Sequence, residues 1–515
     1  MKNRNQQHGE PRAPRHSALG RWQELNGKRR GFLRRCENYA AVTIPKVCLP
    51  DGVNQDSESI QHDWQSVGAQ AVNHLLNKLM LAMFSPSQPF FRLDPDKELA
   101  DKLAANSITE ADLRAALVGG EQRAIRVLDQ KAVRPKLYEG LKHLIITGNV
   151  LLDRTEKDNI RVLGLKRYVA KRSISGQLCE VLIHERLMFD ELEEDAQAAA
   201  KSRKPHDEVD FLRWYKRKDK RWTLTTHVGE EDLGEDFSHE WSMEDFPIHC
   251  LVWDLADEHN YGTGLVEDYA GDFGTLSTLS EAEVKAAILA SDYRWLADPQ
   301  GITNINDFKN SVTGDVLAGR EKDLTLVSLV GGGALEQLGK TAEKYIRRIG
   351  QAFLLGTAVT RDAERVTAEE IRMQAMELET ALGGVYSRLS VDLQLPLVRW
   401  LLASIKIDIQ GTSLTPTITT GLAALSRAAD AQMLAMFLQD LAGIATLPGP
   451  VQMRLNLNEV LSTMAAARGI SPQKYIRPEA EVRADIEAAR KAQADAEAQT
   501  EVVKAGAQAA ARPQE

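Results

Sequence analysis

One start signal for a long helix constrains this chain more than any other feature. Thr367 is followed three residues later by Glu370, so a hydroxyl and a carboxylate can each cap the other's backbone N–H. Val366 and Ile371 are placed to close over that cap as an apolar pair. From Thr367 to Leu395 the apolar residues keep a helical spacing, which predicts about 29 helical residues, roughly 43 Å. Pro396 is expected to kink or break that helix, because proline lacks the N–H and crowds the preceding turn. The segment before it, "TAVTRDAER", carries Arg361 and Arg365. No residue of the helix has a catalytic look, so it reads as a strut launched from an arginine-bearing loop.

The chain has 515 residues, enough for two to four domains. It is 43% hydrophobic and only 6% aromatic, and rich in helix formers. The net charge of −9 excludes a protein that coats nucleic acid by bulk attraction. Charge is uneven, and residues 1–50 are basic. The run Arg21, Lys28, Arg29, Arg30, Arg34 and Arg35 could touch phosphates, but reads more simply as the solvated face of an early helix. Four cysteines, Cys36, Cys48, Cys179 and Cys250, contain no C-x-x-C pair and suggest reduced, buried thiols. The polar N-terminus does not resemble a signal peptide, and the apolar runs fall short of a membrane span. A protein folded in a cytoplasm is the expectation.

Along the chain, residues 1–20 are expected to be disordered and Trp22–Tyr39 helical. Trp64, Val67, Ala71, Leu75, Leu79 and Met83 recur at helical steps and predict a buried stripe. His74 lies near that stripe and reads as a structural histidine, since no metal-ligand partner stands at the right spacing. "FFRL" predicts a short strand, residues 109–131 a helix, and Gly148-Asn149 the start of a strand. Residues 150–255 are mostly strand-like. Within them Trp214, Tyr215 and Trp222 flank the basic turn "KRKDKR", which reads as a solvated hairpin in preference to a nucleic-acid site. Two helices, near 265–293 and 334–355, bracket a non-helical insertion. Residues 415–478 suggest further helices, and the Ala/Glu/Gln-rich end has little to bury.

Catalytic motifs fail one by one. "GGGALEQLGKT" ends like a phosphate-binding loop, but Ala334 stands where its first glycine belongs, and "LEQL" suits a helix. There is no G-x-S-x-G, and His184-Glu185 lacks a second histidine at helical spacing. The acidic clusters "DELEED" and "GEEDLGEDF" lack the order of a calcium loop.

Several segments together resemble one family: "WQSVGAQAVNHLLNKLMLAMFSPSQPFFRL", "LKHLIITGNVLL", "GLVEDYAGDFGTLSTL", "TAVTRDAERVTAEEIRMQAMELETALGGVYSRLSVDLQLPLVRWLL" and "PTITTGLAALSRA". They are similar to portal proteins (head-to-tail connectors) of short-tailed podoviruses, the autographivirus type most of all. The similarity runs from about residue 22 to 480, and 358–402 is its most specific part. The fold so implied is α+β, mainly helical, with wing, stem, clip and crown, assembled as a ring of about twelve subunits at one capsid vertex. The resemblance places a disordered basic N-terminus at 1–20, the wing at 21–262 and a stem helix at 263–293. The clip follows at 294–328, then a second stem helix at 329–354 and a tunnel loop at 355–366. The wing's long helix covers 367–412, the crown 413–478 and a low-complexity tail 479–515.

The function implied is passage of double-stranded DNA through an axial tunnel, inward during packaging and outward on infection, without ATP hydrolysis by the portal itself. Implied partners are the terminase large subunit and then the tail adaptor at the clip, scaffolding and major capsid proteins, and internal core proteins at the crown. DNA would be held without sequence preference. No membrane, metal or cofactor is implied. The virion's portal vertex is the implied location, after assembly in a host bacterial cytoplasm. An acidic lining would repel phosphates and let the duplex slide. Thr360, Arg361 and Arg365 fall in the implied tunnel loop and would face DNA; alternatively the arginines pair with Asp362, Glu364 or a neighbouring subunit. The competing reading is an unrelated multidomain scaffold or nucleic-acid-handling enzyme with an unrecognised active site.

Overall fold

The computed structural model describes residues 17–418, except 54–58, 86–88, 96–109, 157–158, 201–203, 292, 329–331, 356–376, 379 and 408–413, together with Met436, Gln439, Ala442 and Val460. The chain divides into two compact units, Met1–Leu422 and Ala423–Glu515. Only those last four positions describe the second unit. The expected helices beyond 418, the tail and the capping box at Thr367 therefore lie outside the described residues.

The basic run folds as two helices, α1 (Ala18–Lys28) and α2 (Arg30–Ala41), where one was expected. Ser17 caps α1 by accepting the Gly20 N–H at 3.0 Å, so order begins inside the segment expected to be disordered. At the joint, Arg29 is buried and its guanidinium faces the rings of both Trp22 and Tyr261. That inward-drawn cation occupies the break between the helices.

Helix α3 (Val67–Met83) buries Ala71, Leu75, Leu79 and Met83 completely. Trp64 does not belong to this stripe. It precedes the helix and is 53% exposed. Strand β1 (Phe91–Pro95), α4 (Glu110–Gln130) and α5 (Val133–Thr147) follow. Next come β2 (Asn149–Asp153), β3 (Arg161–Leu163), β4 (Tyr168–Arg172), β5 (Leu178–Met188) and the short α6 (Glu194–Ala199). The strand-rich stretch continues through β6 (Glu208–Lys218), β7 (Arg221–Val228), β8 (Glu231–Asp232), β9 (His239–Ser242) and β10 (Ile248–Val252). All pairings are antiparallel. One sheet runs β4-β5-β6-β7-β8 with β9 beside β7, and another runs β10-β2-β3.

The remaining elements are α7 (Leu265–Asp268), α8 (Ala270–Ser291), β11 (Tyr293–Ala297), α9 (Ile305–Asn310), β12 (Leu324–Ser328) and α10 (Gly332–Ala352), then α11 (Gly384–Leu389), α12 (Leu395–Ser404) and β13 (Leu414–Ile418). Helices outweigh strands among the described residues. One apolar cluster joins α2–α5 to the β10-β2-β3 sheet and to α10–α12.

The helix expected to be continuous to Leu395 is interrupted. Gly383 takes φ +58, a conformation open to glycine and strained for other residues, and separates α11 from the helical turn before it. Pro396 does not break the helix. A π turn at Ser390–Gln394 leads into α12, and proline sits in the first turn of α12, where a missing N–H costs no bond. Residues 414–418 form a strand on β1, not a helix.

Charged side chains tie the two sheets together. Arg213 of β6 meets Asp153 of β2 at 2.8 Å and Glu185 of β5 at 3.1 Å. Arg161 of β3 also pairs with Glu185. Thr155 donates its hydroxyl to Asp153 at 2.6 Å. Burial pushes the Asp153 carboxyl up, but Arg213 and Thr155 more than reverse this and hold it below its ordinary value. A carboxyl so depressed contributes stability above its unfolded pKa of about 3.9, and that contribution is lost as pH falls through the folded value. Arg213→Ala removes the cation shared by Asp153 and Glu185, leaving Arg161 and Thr155 as their remaining partners, and is expected to cost about 2–4 kcal/mol in urea unfolding at neutral pH, less as pH falls below about 4. A loss under about 1 kcal/mol would mean that the network does not hold the sheets together.

Candidate functional site

The site begins at a crossing of backbone against backbone. Helix α5 ends at Gly148 with φ +72, its N–H donating to the Leu144 carbonyl at 2.9 Å. A Cβ on Gly148 would lie 2.3 Å from the Thr263 carbonyl carbon, and one on Gly264 would lie 2.7 Å from the Gly148 nitrogen. Only glycines permit this approach. Beside it the buried Asn149 amide donates to the carbonyls of Thr147 (2.8 Å) and Gly262 (2.7 Å), and its oxygen accepts the Gly262 N–H at 2.9 Å. The chain leaving this crossing becomes α7 and α8.

Helices α8 and α10 form an antiparallel hairpin. Phe353 packs edge-on against Phe273 (5.6 Å) and Tyr269 (5.9 Å), and Arg348 pairs with Asp272 at 3.2 Å. Near this root Phe273, Leu276, Ile349 and Phe353 are buried. Further along, α8 exposes Val284, Ile288 and Leu289, with Ile288 63% exposed, while on α10 Ile346 is exposed beside the root.

Between the helices, β11 and β12 pair in register from Tyr293↔Ser328 to Ala297↔Leu324. They close an insertion that exposes Trp295, Ile302, Ile305, Val312 and Val316.

Thr360, Arg361 and Arg365 lie outside the described residues, but both flanks of their segment are placed, and α3 holds them. Helix α10 ends at Leu354 with φ +58, and the Leu355 N–H donates to the Gly350 carbonyl at 2.7 Å. His74 of α3 reaches the Leu354 backbone. One turn on, the buried Lys78 pairs with Glu377 at 3.0 Å. Burial, then the Lys78 cation, push the His74 imidazole below its ordinary pKa. The role of Lys78 was not legible in the sequence, because lysine on an apolar stripe reads as a solvated exception.

The other motifs have structural places. "LEQLGKT" lies within α10, where Lys340 pairs with Glu336 one turn earlier. In the basic hairpin of β6 and β7, Tyr215 and Trp222 are buried, and Trp214 lies under the Lys216 ammonium and donates to Glu180. Those rings are not free to stack on bases. No group of His, Cys, Asp and Glu among the described residues is arranged to hold a metal ion. No described helix is long and apolar enough to cross a membrane.

A family model described as "Bacteriophage head to tail connecting protein" matches residues 15–476. The portal protein of Enterobacteria phage SP6 is 32% identical over 485 residues, covering 93% of this chain and 92% of that one. The portal protein of Escherichia phage T7 is 32% identical over 437 residues, 80% of each. The portal protein of Pseudomonas phage phiKMV is 29% identical over 485 residues, covering 92% of this chain and 94% of that one.

Because Lys340 is tied to a neighbouring turn in a regular helix, Mg-ATP titrated into the chain is expected to give no saturable binding, and Lys340→Ala to behave like wild type. Saturable binding abolished by that substitution would restore the nucleotide-site reading.

Proposed function

The chain belongs to the bacteriophage head to tail connecting proteins, the portal proteins of T7-like podoviruses, and from that premise we propose how its parts serve a DNA channel. Copies assemble side by side as a ring, with the α8–α10 hairpins as its stem. The insertion between β11 and β12 is the clip, the segment 355–366 the tunnel loop, and the β-rich region the wing. DNA passes through the axis during packaging and ejection, and the protein performs no chemistry on it. The terminase large subunit docks first and the tail adaptor later. The ring sits at the portal vertex of the virion after assembly in the host cytoplasm.

The observation that carries this reading is the exposure of Val284, Ile288 and Leu289 on α8, beyond a hairpin root that buries Phe273, Leu276, Ile349 and Phe353. A closed ring buries the same patch once per subunit with none left over. The tunnel-loop assignment rests on where the segment's ends are held. The C-terminal end of α10 and Glu377 are both fastened to α3, which fixes the two ends of the segment that carries the arginines. Arg361 and Arg365 on such a loop would make transient phosphate contacts in an otherwise acidic chain, enough to grip DNA without arresting it.

Negative-stain images of the purified chain are expected to show rings with an axial hole. Ile288→Asp combined with Ile346→Asp should shift rings to monomers while the circular dichroism spectrum stays the same. A wild-type chain that remains monomeric across several salt concentrations would overturn the ring. Replacing Arg361 and Arg365 together by alanine should leave rings intact and lower the DNA retained in filled heads; wild-type retention would remove the arginines from the tunnel.

A further inference from the structure

Strand β5 outruns its neighbour. β4 pairs with it from Arg172↔Leu178 to Tyr168↔Ile183 and ends there, while β6 stays paired as far as Met188↔Glu208. Just before β4 the chain turns away, with the Arg167 N–H donating to the Gly164 carbonyl at 3.0 Å. Beyond Ile183, the side of β5 that faces β4 therefore has no strand beside it among the described residues. At the far end the Met188 N–H donates to the Glu191 carboxylate at 2.9 Å. Residues 184–187 remain as a short open edge, whose backbone groups on that side have no ladder to join.

All four of these residues line one cleft of about 810 Å³. Lys166 and Arg167, from the turn before β4, complete it with Arg161 of β3 and with Asp51. Its cations are of two kinds. Arg161 pairs with Glu185, and Lys166 pairs with Glu37 and with Asp51, the latter at 2.7 Å. Arg167 and Arg186 are not satisfied in this way. The nearest carboxylate oxygen to Arg167 is that of Glu185 at 4.0 Å, and those nearest Arg186 are on Asp210 at 3.6 Å and Glu208 at 3.9 Å. These separations are too long for hydrogen bonds. The two side chains are 64% and 66% exposed. Two guanidinium forks thus stand beside an open strand edge with hydrogen bonds to give.

We propose that this notch takes an extended acidic peptide of another protein as an added strand. Main-chain hydrogen bonds to residues 184–187 hold the peptide, and its carboxylates meet Arg167 and Arg186. Both parts of the cleft call for this ligand and not for DNA. A duplex has no amide and carbonyl groups in strand spacing to offer the edge. Its charge is negative at every step, so Asp51, 93% exposed on the same cleft, and the two carboxylates beside Arg186 repel it. A peptide can place carboxylates at the two arginines alone, because its side chains alternate between faces.

The test titrates the full-length chain with a synthetic peptide of about six residues, a common strand length, alternating valine with glutamate and blocked at both ends. Saturable binding is expected. A version with lysine for glutamate should bind at least about tenfold more weakly, and so should one with every backbone amide N-methylated, which removes its donors. Arg167→Ala combined with Arg186→Ala should weaken the glutamate peptide by a similar factor while the circular dichroism spectrum stays that of wild type. No saturable binding to the wild-type chain would overturn the proposal and mean that the charges guard the edge. Undiminished binding of the N-methylated version would overturn strand addition, and undiminished binding by the double variant would remove the arginines from the site. Displacement of the peptide by an equal concentration of a short DNA duplex would make the cleft a phosphate site instead. Should the double variant lose its fold, the lysine and N-methylated versions on the wild-type chain decide the matter alone.

Discussion

The crossing of Gly148 over Gly264, locked by the buried Asn149 amide, decides where the helical hairpin leaves the body of the protein. It joins the C-terminus of α5, the start of β2 and the residues that lead into α8. A side chain at either glycine would push the two backbones apart. A residue without both amide functions at 149 would leave the Gly262 N–H and carbonyl unpaired in a dry place. The hairpin's direction, and with it the position of the insertion and of the segment after α10, follows from this joint.

Along the hairpin and its insertion, different forces act in turn. At the root, aromatic packing of Tyr269, Phe273 and Phe353 suffices for one chain alone. Further out, Val284, Ile288 and Leu289 of α8 are exposed. In the insertion the one buried residue from 294 to 326 is Asp323, which accepts hydrogen bonds from Ile302 and Thr303. On the proposed reading, the packed root belongs to each chain alone, and the exposed stretch beyond it is where neighbouring copies meet.

Some of this was legible in the sequence. The buried stripe of α3, the strand onset at Gly148-Asn149, the strand-rich stretch and the paired helices all appear where periodicity and turn residues put them, but the insertion expected to be non-helical contains α9, started by the Asn304 cap. The misreadings share one cause, since local pattern weighs each residue without its distant neighbours. Trp64 extends the α3 period but lies outside the helix. Pro396 looks like a breaker, yet the π turn before it admits it at a helix start, while Gly383 makes the actual break. Arg29 divides a continuous basic run because Tyr261, far off in sequence, draws its guanidinium inward.

By itself the sequence determined most element types, though not the strand at 414–418 or the helix inside the insertion, the absence of the common catalytic motifs it was searched for, and the family through its long characteristic segments. These depend on nearest neighbours, turn chemistry and the order of residues, which need no folding to read. Only the tertiary structure decided that Lys78 and His74 fasten the two ends of the arginine segment, that Arg213 bridges two sheets, and that Asp323 holds the tip of the insertion. Each is a contact between residues distant in sequence. A lone lysine, arginine or aspartate carries no local mark of the partner it meets, because burial and opposite charge come together only once the chain has folded.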